Sequence, residues 1–257
     1  PIVPPMKRID ASDMELIVQE INQSEVLVLA GQMEQNPKLQ QELIKLASFP
    51  NVVVLVENTS NIQHERFIHC IDRTLNGFDQ SNDAFKPEIL ITIGGAVVSK
   101  RIKAYLRTAG ILKHYKIGAE FPEMDTYRCL SKTFPLTPAD FFEQLNESEL
   151  SANVHNFNGR WKTVDIVAKD RSLEFMSEFS SLTDMQVFQN IQDFLPEDRI
   201  LHLANSSVVR YAQLFDPLPG VRYESNRGTS GIDGSTSTAL GAAIVNPSKQ
   251  HVIISGD

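Results

Sequence analysis

The stretch SNRGTSGIDGSTSTALGAAIVNPSKQHVIISGD, residues 225–257, carries the strongest fold signal in the chain. Its glycines Gly228, Gly231 and Gly234 recur at every third position between polar residues. Glycine lets the backbone turn sharply and approach a ligand without interference from a Cβ atom. A loop of this kind between a strand and a helix is typical of doubly wound sheets, whose ligands bind at the carboxyl ends of the strands.

Apolar runs alternate with helical patterns along the whole chain. After the glycine loop, Ser235 to Ile244 predicts a tightly packed helix and Val252 to Ile254 a buried strand. Strands that are apolar on both faces belong to parallel sheets covered by helices on both sides. We therefore predict an α/β fold with two doubly wound parallel-sheet units, the second one incomplete. The other strands are predicted at Val26–Ala30, Asn51–Val56, Ile89–Ile93, Tyr115–Gly118, Tyr127–Leu130, Ile200–Ala204 and Val221–Tyr223.

A polar segment, Asn146–Gly159, predicts a linker between the two units. In the first unit a helix is predicted at Val97–Leu106, directly after a strand and two glycines. The chain does not begin with methionine and stops where a loop should begin, so we expect an internal fragment of a longer protein. The predicted domains are a Rossmann-like domain at residues 1–150, a linker and connecting helix at 151–180, and a second domain at 181–257.

The composition indicates a globular protein of the cytoplasm. Of the 257 residues, 42% are hydrophobic and 22% are charged, and no apolar run approaches membrane-spanning length. The formal net charge of −8 argues against nucleic acid as a partner, because nucleic-acid binding needs a basic face. Cys70 and Cys129 lie in apolar surroundings without CxxC spacing, which predicts two buried free thiols in a reducing compartment.

Polar and charged residues around the second unit predict an anion site. The segment Asn205-Ser206-Ser207 lies between a predicted strand and a predicted helix, where amides and hydroxyls hold phosphate, although the same residues suit an ordinary helix cap. Arg210 and Arg227 would face the same crevice, and arginine binds carboxylates bidentately. Asp257, after Gly256 at the end of the last strand, is suitably placed for a divalent cation held against phosphates.

Basic and histidine residues of the first unit have two different interpretations. Lys100 and Arg101 lie near the start of a predicted helix, where the helix dipole favours anions, so a pair of cations there indicates an anionic partner. His64 and His69 invite a zinc interpretation. However, they are five residues apart, whereas a zinc-binding HExxH helix needs its histidines four apart, so we interpret them as structural.

The motif SNRG-x-SGIDG-x-x-ST, followed by a strand that ends in Gly-Asp, resembles the diphosphate-binding domain of thiamine-diphosphate enzymes. Within that superfamily it is most similar to the 2-succinyl-5-enolpyruvyl-6-hydroxy-3-cyclohexene-1-carboxylate synthases of menaquinone biosynthesis. The resemblance implies a central domain at residues 1–150 and the first part of the thiamine-diphosphate domain at 181–257. It also implies an enzyme that decarboxylates 2-oxoglutarate and adds the resulting carbanion equivalent to isochorismate, as a homodimer or homotetramer.

The same resemblance implies specific residue roles. The family's catalytic glutamate belongs to an amino-terminal domain, so no catalytic residue is expected in this chain, and we expect the chain alone to be inactive. Ile232 would support the cofactor in its bent conformation. The implied substrate-binding residues are Lys100, Arg101, Ser206, Arg210 and Arg227. The implied cofactor-binding residues are Asn205, Ser206, Ser207, Ser230, Gly231, Ile232 and Gly256, with Asp257 binding Mg²⁺ or Mn²⁺.

Two other functions remain open on the sequence. One is a different thiamine-diphosphate carboligase or decarboxylase of the acetolactate synthase type, which the arginines argue against because pyruvate needs fewer cations. The other is a non-catalytic module whose first domain binds a nucleotide or a partner protein. Binding of nucleotides compared with binding of substrate acids would separate the two classes.

Overall fold

The structure, a computed structural model, describes residues 8–151, 155–195 and 198–256. The strands of these residues are β1 (Val26–Ala30), β2 (Val52–Val56), β3 (Ile89–Ile93), β4 (Lys113–Ile117), β5 (Leu130–Phe134), β6 (Arg199–Leu203), β7 (Arg222–Glu224) and β8 (Gln250–Ile254). The α-helices are α1 (Ala11–Gln23), α2 (Pro37–Leu46), α3 (Ile71–Leu75), α4 (Lys100–Thr108), α5 (Pro138–Asn146), α6 (Phe157–Ser177), α7 (Asp184–Phe194), α8 (Ser207–Ala212) and α9 (Ser235–Val245). Single turns of 3-10 helix lie at Asn58–Ser60 and Asp83–Phe85.

The strands form two sheets in which every pairing is parallel. The first sheet has the order β2-β1-β3-β4-β5 and the second the order β7-β6-β8. In the first sheet the order reverses between β1 and β3, as it does in a doubly wound sheet. The predicted α/β fold with two parallel-sheet units is therefore confirmed.

The first sheet is buried on both faces because helices cover each side. Alternate residues of β1 point to opposite faces, so that Val28 belongs to one core cluster and Leu29 to the other. Helices α1, α2 and α5 cover the Val28 face, and α3, α4 and α6 cover the Leu29 face. Both β1 and β2 are buried along their full length, which explains their continuous apolar sequence.

The second sheet is covered mainly on one face. Leu201 and Leu203 of β6 pack against α7 and α8 in a third core cluster. On the opposite face α9 buries only Ser235 and Ala239, and β8 is half-buried because it pairs on one side with β6 alone among the described residues. The prediction of a tightly packed helix and a fully buried last strand is thus wrong for the described part of the chain.

Helix α6 packs on the first unit rather than bridging freely between the units. Phe157 and Trp161 are fully buried in the cluster on the Leu29 face, and Trp161 Nε1 donates a hydrogen bond to the Phe85 carbonyl at 3.2 Å. The helix begins at Phe157, so the last three residues of the predicted linker are helical, while residues 152–154 of that linker lie outside the described residues. The division of the chain into domains at 150 and 180 stays a prediction.

The fifth strand lies later in the sequence than predicted. Tyr127–Leu130 was expected to be a strand, but β5 begins at Leu130. The Asp125 carboxylate accepts hydrogen bonds at 3.1 Å from the backbone amides of Cys129 and Leu130, and Arg128 has φ of 64°. A side chain that binds backbone amides stabilises a turn in place of a ladder, so these residues turn before the strand starts.

The two cysteines differ in burial. Cys70 is buried and its pKa is raised by burial, as predicted for an inert thiol, whereas Cys129 is only half-buried because it lies in the turn before β5. The prediction of two buried thiols is therefore wrong for Cys129.

Among the helices of the described ranges, none has both the length and the apolar character needed to cross a bilayer.

Trp161→Ala is expected to lower the free energy of unfolding by about 3–5 kcal/mol, because it removes the largest fully buried side chain and leaves a cavity between α6 and the sheet. Leu173→Ala on the same helix is the control, since Leu173 is 53% exposed and its loss should change stability by less than about 0.5 kcal/mol. Urea unfolding of the two variants measures the difference. Similar losses in both would contradict the packing of α6 on the first unit.

Candidate substrate and cofactor crevice

The carboxyl edges of the two sheets face a common crevice. The ends of β6, β7 and β8 lead into Asn205–Ser207, the loop 225–234 and Ser255–Gly256. At the first sheet, Gln32 follows β1, and its Nε2 donates a 2.7 Å hydrogen bond to the Ser225 carbonyl. The glycine loop of the second unit is therefore bound directly to the carboxyl edge of the first.

Two glycine turns of the first sheet approach each other closely at this edge. A Cβ atom on Gly31 would lie 2.2 Å from the Gly95 carbonyl oxygen, so only glycine fits there. Gly94 has φ of +73°, a conformation that favours glycine. Backbone hydrogen bonds join the turns, with Gln32 donating to the Ala96 carbonyl at 3.1 Å and Gly95 donating to the Gln32 carbonyl at 2.8 Å.

Asn205 holds the glycine loop in place. Its Nδ2 donates to the carbonyls of Asn226 at 2.7 Å and Gly231 at 2.6 Å, and its Oδ1 accepts a hydrogen bond from Arg227 Nη1 at 2.5 Å. The side chain is buried, and three partners from the loop occupy both of its donors and its acceptor oxygen. Asn205 thus fixes both the loop backbone and the position of one arginine.

The glycines of the loop leave open space that the chain itself does not fill. No heavy atom would lie within 4 Å of a Cβ atom on Gly228 or Gly256, and only Thr229 Oγ1, at 3.8 Å, would approach one on Gly231. Internal packing therefore does not require glycine at these three positions. Gly234 is different, because its φ of +79° begins the turn into α9.

Arg227 lies half-buried in the crevice. Burial lowers its pKa, the charge of Glu57 raises it in part, and the nearby charge of Arg210 lowers it further. Its Nε is buried and has no hydrogen-bond partner among the described residues. Arg210 itself is exposed on α8, and its charge acts on Arg227, so the two predicted arginines are near enough to interact. Two neighbouring cations, one of them with an unused buried donor, form a site suited to an anion.

A cavity of about 390 Å³ lies between the first sheet and the glycine loop. Arg227 and Ser230 line it from the loop, and Lys103 and Lys116 line it from α4 and β4. The sequence analysis missed both lysines. Lys103 could have been found, because it is three residues after Lys100 and therefore on the same face of a helix. Lys116 could be assigned to the cavity only from the sheet register, which places the carboxyl end of β4 beside β3.

Lys100 and Arg101 lie at the start of α4 and outside the residues that line this cavity. Both side chains are exposed, and Arg101 Nη1 donates a hydrogen bond to Asn76 Oδ1. The helix begins at Lys100 and not at Val97 as predicted, because the Ser99 side chain caps it by accepting a hydrogen bond from the Ile102 amide at 3.0 Å. The structure therefore separates this pair from the cavity wall.

The other predicted ligand contacts are accessible on the second unit. Ser206 and Ser207 at the start of α8, Ser230 in the loop and Gly256 after β8 are exposed, and Ile232 is 71% exposed. Ser206 has φ of 75°, which is uncommon for a residue with a side chain. An exposed large aliphatic residue in a polar loop has no core to pack against in the described part of the chain.

Asp257, the predicted metal ligand, lies outside the described residues. Within the described ranges no group of three or more His, Cys, Asp or Glu side chains is arranged to hold a metal ion. His64 and His69 contact each other through backbone and ring, with His69 Nε2 3.2 Å from the His64 carbonyl oxygen. Their interpretation as structural residues agrees with this contact.

Residues 6–203 match the protein family described as the middle domain of thiamine pyrophosphate enzymes. The chain belongs to this family. The match covers the whole five-stranded sheet and extends to the end of β6, so the resemblance that the glycine motif suggested is confirmed at the level of the family. The five-stranded sheet therefore lies within the region that matches the middle domain.

Curated relatives agree with this assignment. The chain is 38% identical over 252 residues to a protein named 2-succinyl-5-enolpyruvyl-6-hydroxy-3-cyclohexene-1-carboxylate synthase from Flavobacterium johnsoniae, covering 98% of this chain and 45% of the relative. It is 34% identical to the protein of the same name from Christiangramia forsetii, covering 100% and 45%, and 31% identical to that from Porphyromonas gingivalis, covering 94% and 43%. The chain thus spans less than half the length of these relatives.

The pKa of His114, which lines the cavity at β4, makes the stability of the fold depend on pH. Burial lowers its pKa to about 4 from the ordinary value of 6.5, so the folded state binds its proton less tightly than the unfolded state. Stability is therefore lost as pH falls below 6.5. Between pH 7 and pH 5 the loss through this group should be about 2 kcal/mol.

His114→Gln tests this expectation because glutamine is neutral and can keep the hydrogen bond that joins His114 Nε2 to Thr92 Oγ1 at 2.9 Å. Urea unfolding of both proteins at pH 7 and pH 5 should give a smaller loss for the variant by about 2 kcal/mol. An equal loss in both proteins would contradict a neutral buried imidazole.

Proposed function

We propose that this chain is the middle domain and the first part of the cofactor domain of a synthase that uses thiamine diphosphate. In this proposal the enzyme decarboxylates 2-oxoglutarate and adds the resulting carbanion equivalent to isochorismate. The crevice between the two sheets binds the carboxylates of these substrates. The name of the relatives supports the choice, since a succinyl cyclohexene carboxylate carries several carboxylate groups.

One observation carries the proposal. Six cations lie at the crevice or beside it, with Lys100 and Arg101 at the start of α4 outside the cavity wall. No carboxylate of the described residues lies within 4.0 Å of their charged nitrogens. They are Lys100, Arg101, Lys103, Lys116, Arg210 and Arg227. Elsewhere in this acidic chain many cations are ion-paired, as Lys38, Lys45, Arg73, Lys113, Lys132 and Arg160 are. Other cations on the described surface, such as Arg107 and Arg171, also lack an ion pair, but they are exposed. Lys103, Lys116 and Arg227 are half-buried at one cavity, which in a chain with net charge −8 supports an anionic ligand there.

The glycine loop fits the diphosphate of the cofactor. Gly228, Gly231 and Gly256 leave space for close approach, and the segment Ser206–Ser207 presents hydroxyls and backbone amides at the start of α8. Bound thiamine diphosphate would supply the carbon centre that accepts the electrons released on decarboxylation. Ile232 would support the cofactor, and Asn205 would hold the loop in shape around it.

The chain's own residues would bind and orient the reactants. Arg227, fixed by Asn205, and Arg210 beside it would each hold a carboxylate, while Lys100 and Arg101 would approach from α4 of the middle domain. A divalent cation, Mg²⁺ or Mn²⁺, would bind Asp257 and the diphosphate oxygens. The complete enzyme would act in the cytoplasm as a homodimer or homotetramer, with the remaining half of the cofactor site on another domain.

Arg227→Ala in the full-length enzyme is expected to lower kcat/KM by about one to two decades, because it removes a charge-assisted hydrogen bond worth about 1.5–3 kcal/mol. Arg210→Ala should have an effect of similar size. Arg199→Ala is the matched control, since Arg199 begins β6 at the opposite edge of the same sheet. Steady-state kinetics with 2-oxoglutarate and isochorismate measure the effect.

The kinetics also separate the proposed reaction from its rival. A carboligase of the acetolactate synthase type would act on pyruvate, and the two arginine variants would then retain their activity with that monoanion. Unchanged kcat/KM for 2-oxoglutarate and isochorismate in both variants would remove the arginines from the substrate site. A loss confined to one substrate would assign the arginine to that substrate.

Ile232→Ala separates cofactor binding from stability. Ile232 is largely exposed, so its truncation should change the free energy of unfolding by less than about 0.5 kcal/mol. If Ile232 contacts thiamine diphosphate, the same variant should weaken cofactor binding about tenfold, since the contact buries most of an aliphatic side chain. Calorimetric titration of the full-length apoenzyme gives the affinity. Unaltered affinity would show that Ile232 does not contact the cofactor.

A further inference from the structure

Glu57, directly after β2, is a buried carboxylate without an ion-pair partner among the described residues. It is 2% exposed, and burial of an unpaired carboxylate is costly unless hydrogen bonds compensate. The compensation comes from two backbone amides of the segment before α4. Val98 donates to Glu57 Oε2 and Ser99 donates to Oε1, both at 2.7 Å. The carboxylate therefore binds the approach to a helix N-terminus, where negative charge is favoured.

The segment that Glu57 holds belongs to both units. Val98 packs in the core cluster of the second unit with Leu203 and Val209, although it lies in the chain of the first. Ser99 caps α4 and donates a hydrogen bond from its hydroxyl to Asp72 Oδ1. Lys100 is the next residue and Arg101 follows, so the position of both cations depends on the segment that Glu57 binds.

The residues after Glu57 also contact the second unit. The Asn58 amide donates to Gln213 Oε1 at 3.1 Å, and Asn58 Nδ2 donates to the Ala212 carbonyl at 2.8 Å. Asn61 Oδ1 accepts from the Tyr223 amide at 2.7 Å. One short turn thus fixes the start of α4 on one side and the second unit, which carries the arginines, on the other.

We propose that Glu57 is a positioning residue that holds the start of α4, and through it Lys100 and Arg101, at a fixed distance from Arg210 and Arg227 across the crevice. The inference rests on the proposed function, because it assumes that these cations bind the substrate carboxylates. Glu57 itself touches no substrate. It sets the spacing of the cations contributed by two separate units.

Protonation of Glu57 should loosen this arrangement. Burial raises the pKa of Glu57 to about 7. The ionised carboxylate accepts both amide hydrogen bonds, whereas the protonated form turns a hydroxyl toward one of the two donors. The charged and titratable groups that act on it are Asp72 from α3, Lys103 from α4, Tyr127 from the turn before β5 and Arg227 from the glycine loop. Substrate affinity should therefore fall as pH falls through 7.

The test is a double-mutant cycle in the full-length enzyme. A variant with both Lys100→Ala and Arg101→Ala identifies which substrate the pair binds, by the larger rise in KM. Glu57→Gln keeps the size of the side chain but places an amide donor against a backbone donor, and it should raise the KM of that same substrate about tenfold or more. Combined with the pair variant, Glu57→Gln should cause no further rise, because Glu57 acts through the pair.

Glu42→Gln is the matched control. Glu42 is also buried, but it lies on α2 and accepts hydrogen bonds from Lys45 and Asn146, so its replacement should leave both KM values unchanged. If Glu57→Gln and the pair variant multiply in their effects on KM, Glu57 acts independently and this inference is overturned while the proposed function stands. If the pair variant has no effect on either KM, the role of the pair is overturned and the inference with it.

The pH dependence of the unmodified enzyme provides a test that does not require the Glu57 variant to fold. Substrate carboxylates have ordinary pKa values near 4 and stay ionised between pH 8 and pH 6. Over that range the KM of the substrate bound by the pair should rise severalfold in the unmodified enzyme and stay level in the pair variant. Equal pH dependence in both enzymes would overturn the inference.

Discussion

The buried turn Glu57–Asn61 is the constraint on which the relation of the two units depends. All five of its residues are buried and polar, and the hydrogen bonds that they form matter because an unsatisfied buried group is costly. Within the first unit, Ser60 Oγ donates to the Ala30 carbonyl at 2.7 Å. The side-chain amides of Asn58 and Asn61 donate hydrogen bonds to the second unit, at the carbonyls of Ala212 and Tyr223. These hydrogen bonds hold the carboxyl edges of both sheets at one crevice.

Charge is distributed unevenly around that crevice. The chain is acidic overall, yet burial lowers the pKa of Lys103, Lys116 and Arg227 by more than the charges of Glu57 and Glu120 raise it. Half-buried cations that repel one another reduce the stability of the fold, so their concentration at one place indicates a functional requirement. Glu57 moderates the repulsion from within the protein, since its charge raises the pKa of both Lys103 and Arg227.

Much of the fold could be predicted because parallel strands buried on both faces read as continuous apolar runs, as β1 and β2 do. The glycine loop could be predicted because its spacing is a local property of the sequence. The start of α4 was also marked locally, by the Ser99 cap, but the binding of the preceding amides by Glu57, more than forty residues earlier, could not be predicted. Tyr127 has a high strand propensity, but the residues after it form a turn because their backbone amides donate hydrogen bonds to the Asp125 carboxylate.

The site was partly predictable for the same physical reason. Arg227 is part of a contiguous motif, whereas Lys116 reaches the cavity only through the pairing of β4 with β3. The structure adds that contacts within the chain shape the loop, because Asn205 binds the carbonyls of Asn226 and Gly231 and also holds Arg227. Gly228 and Gly231 leave the loop backbone open, and Asn205 fixes its shape from a position more than twenty residues earlier in the chain.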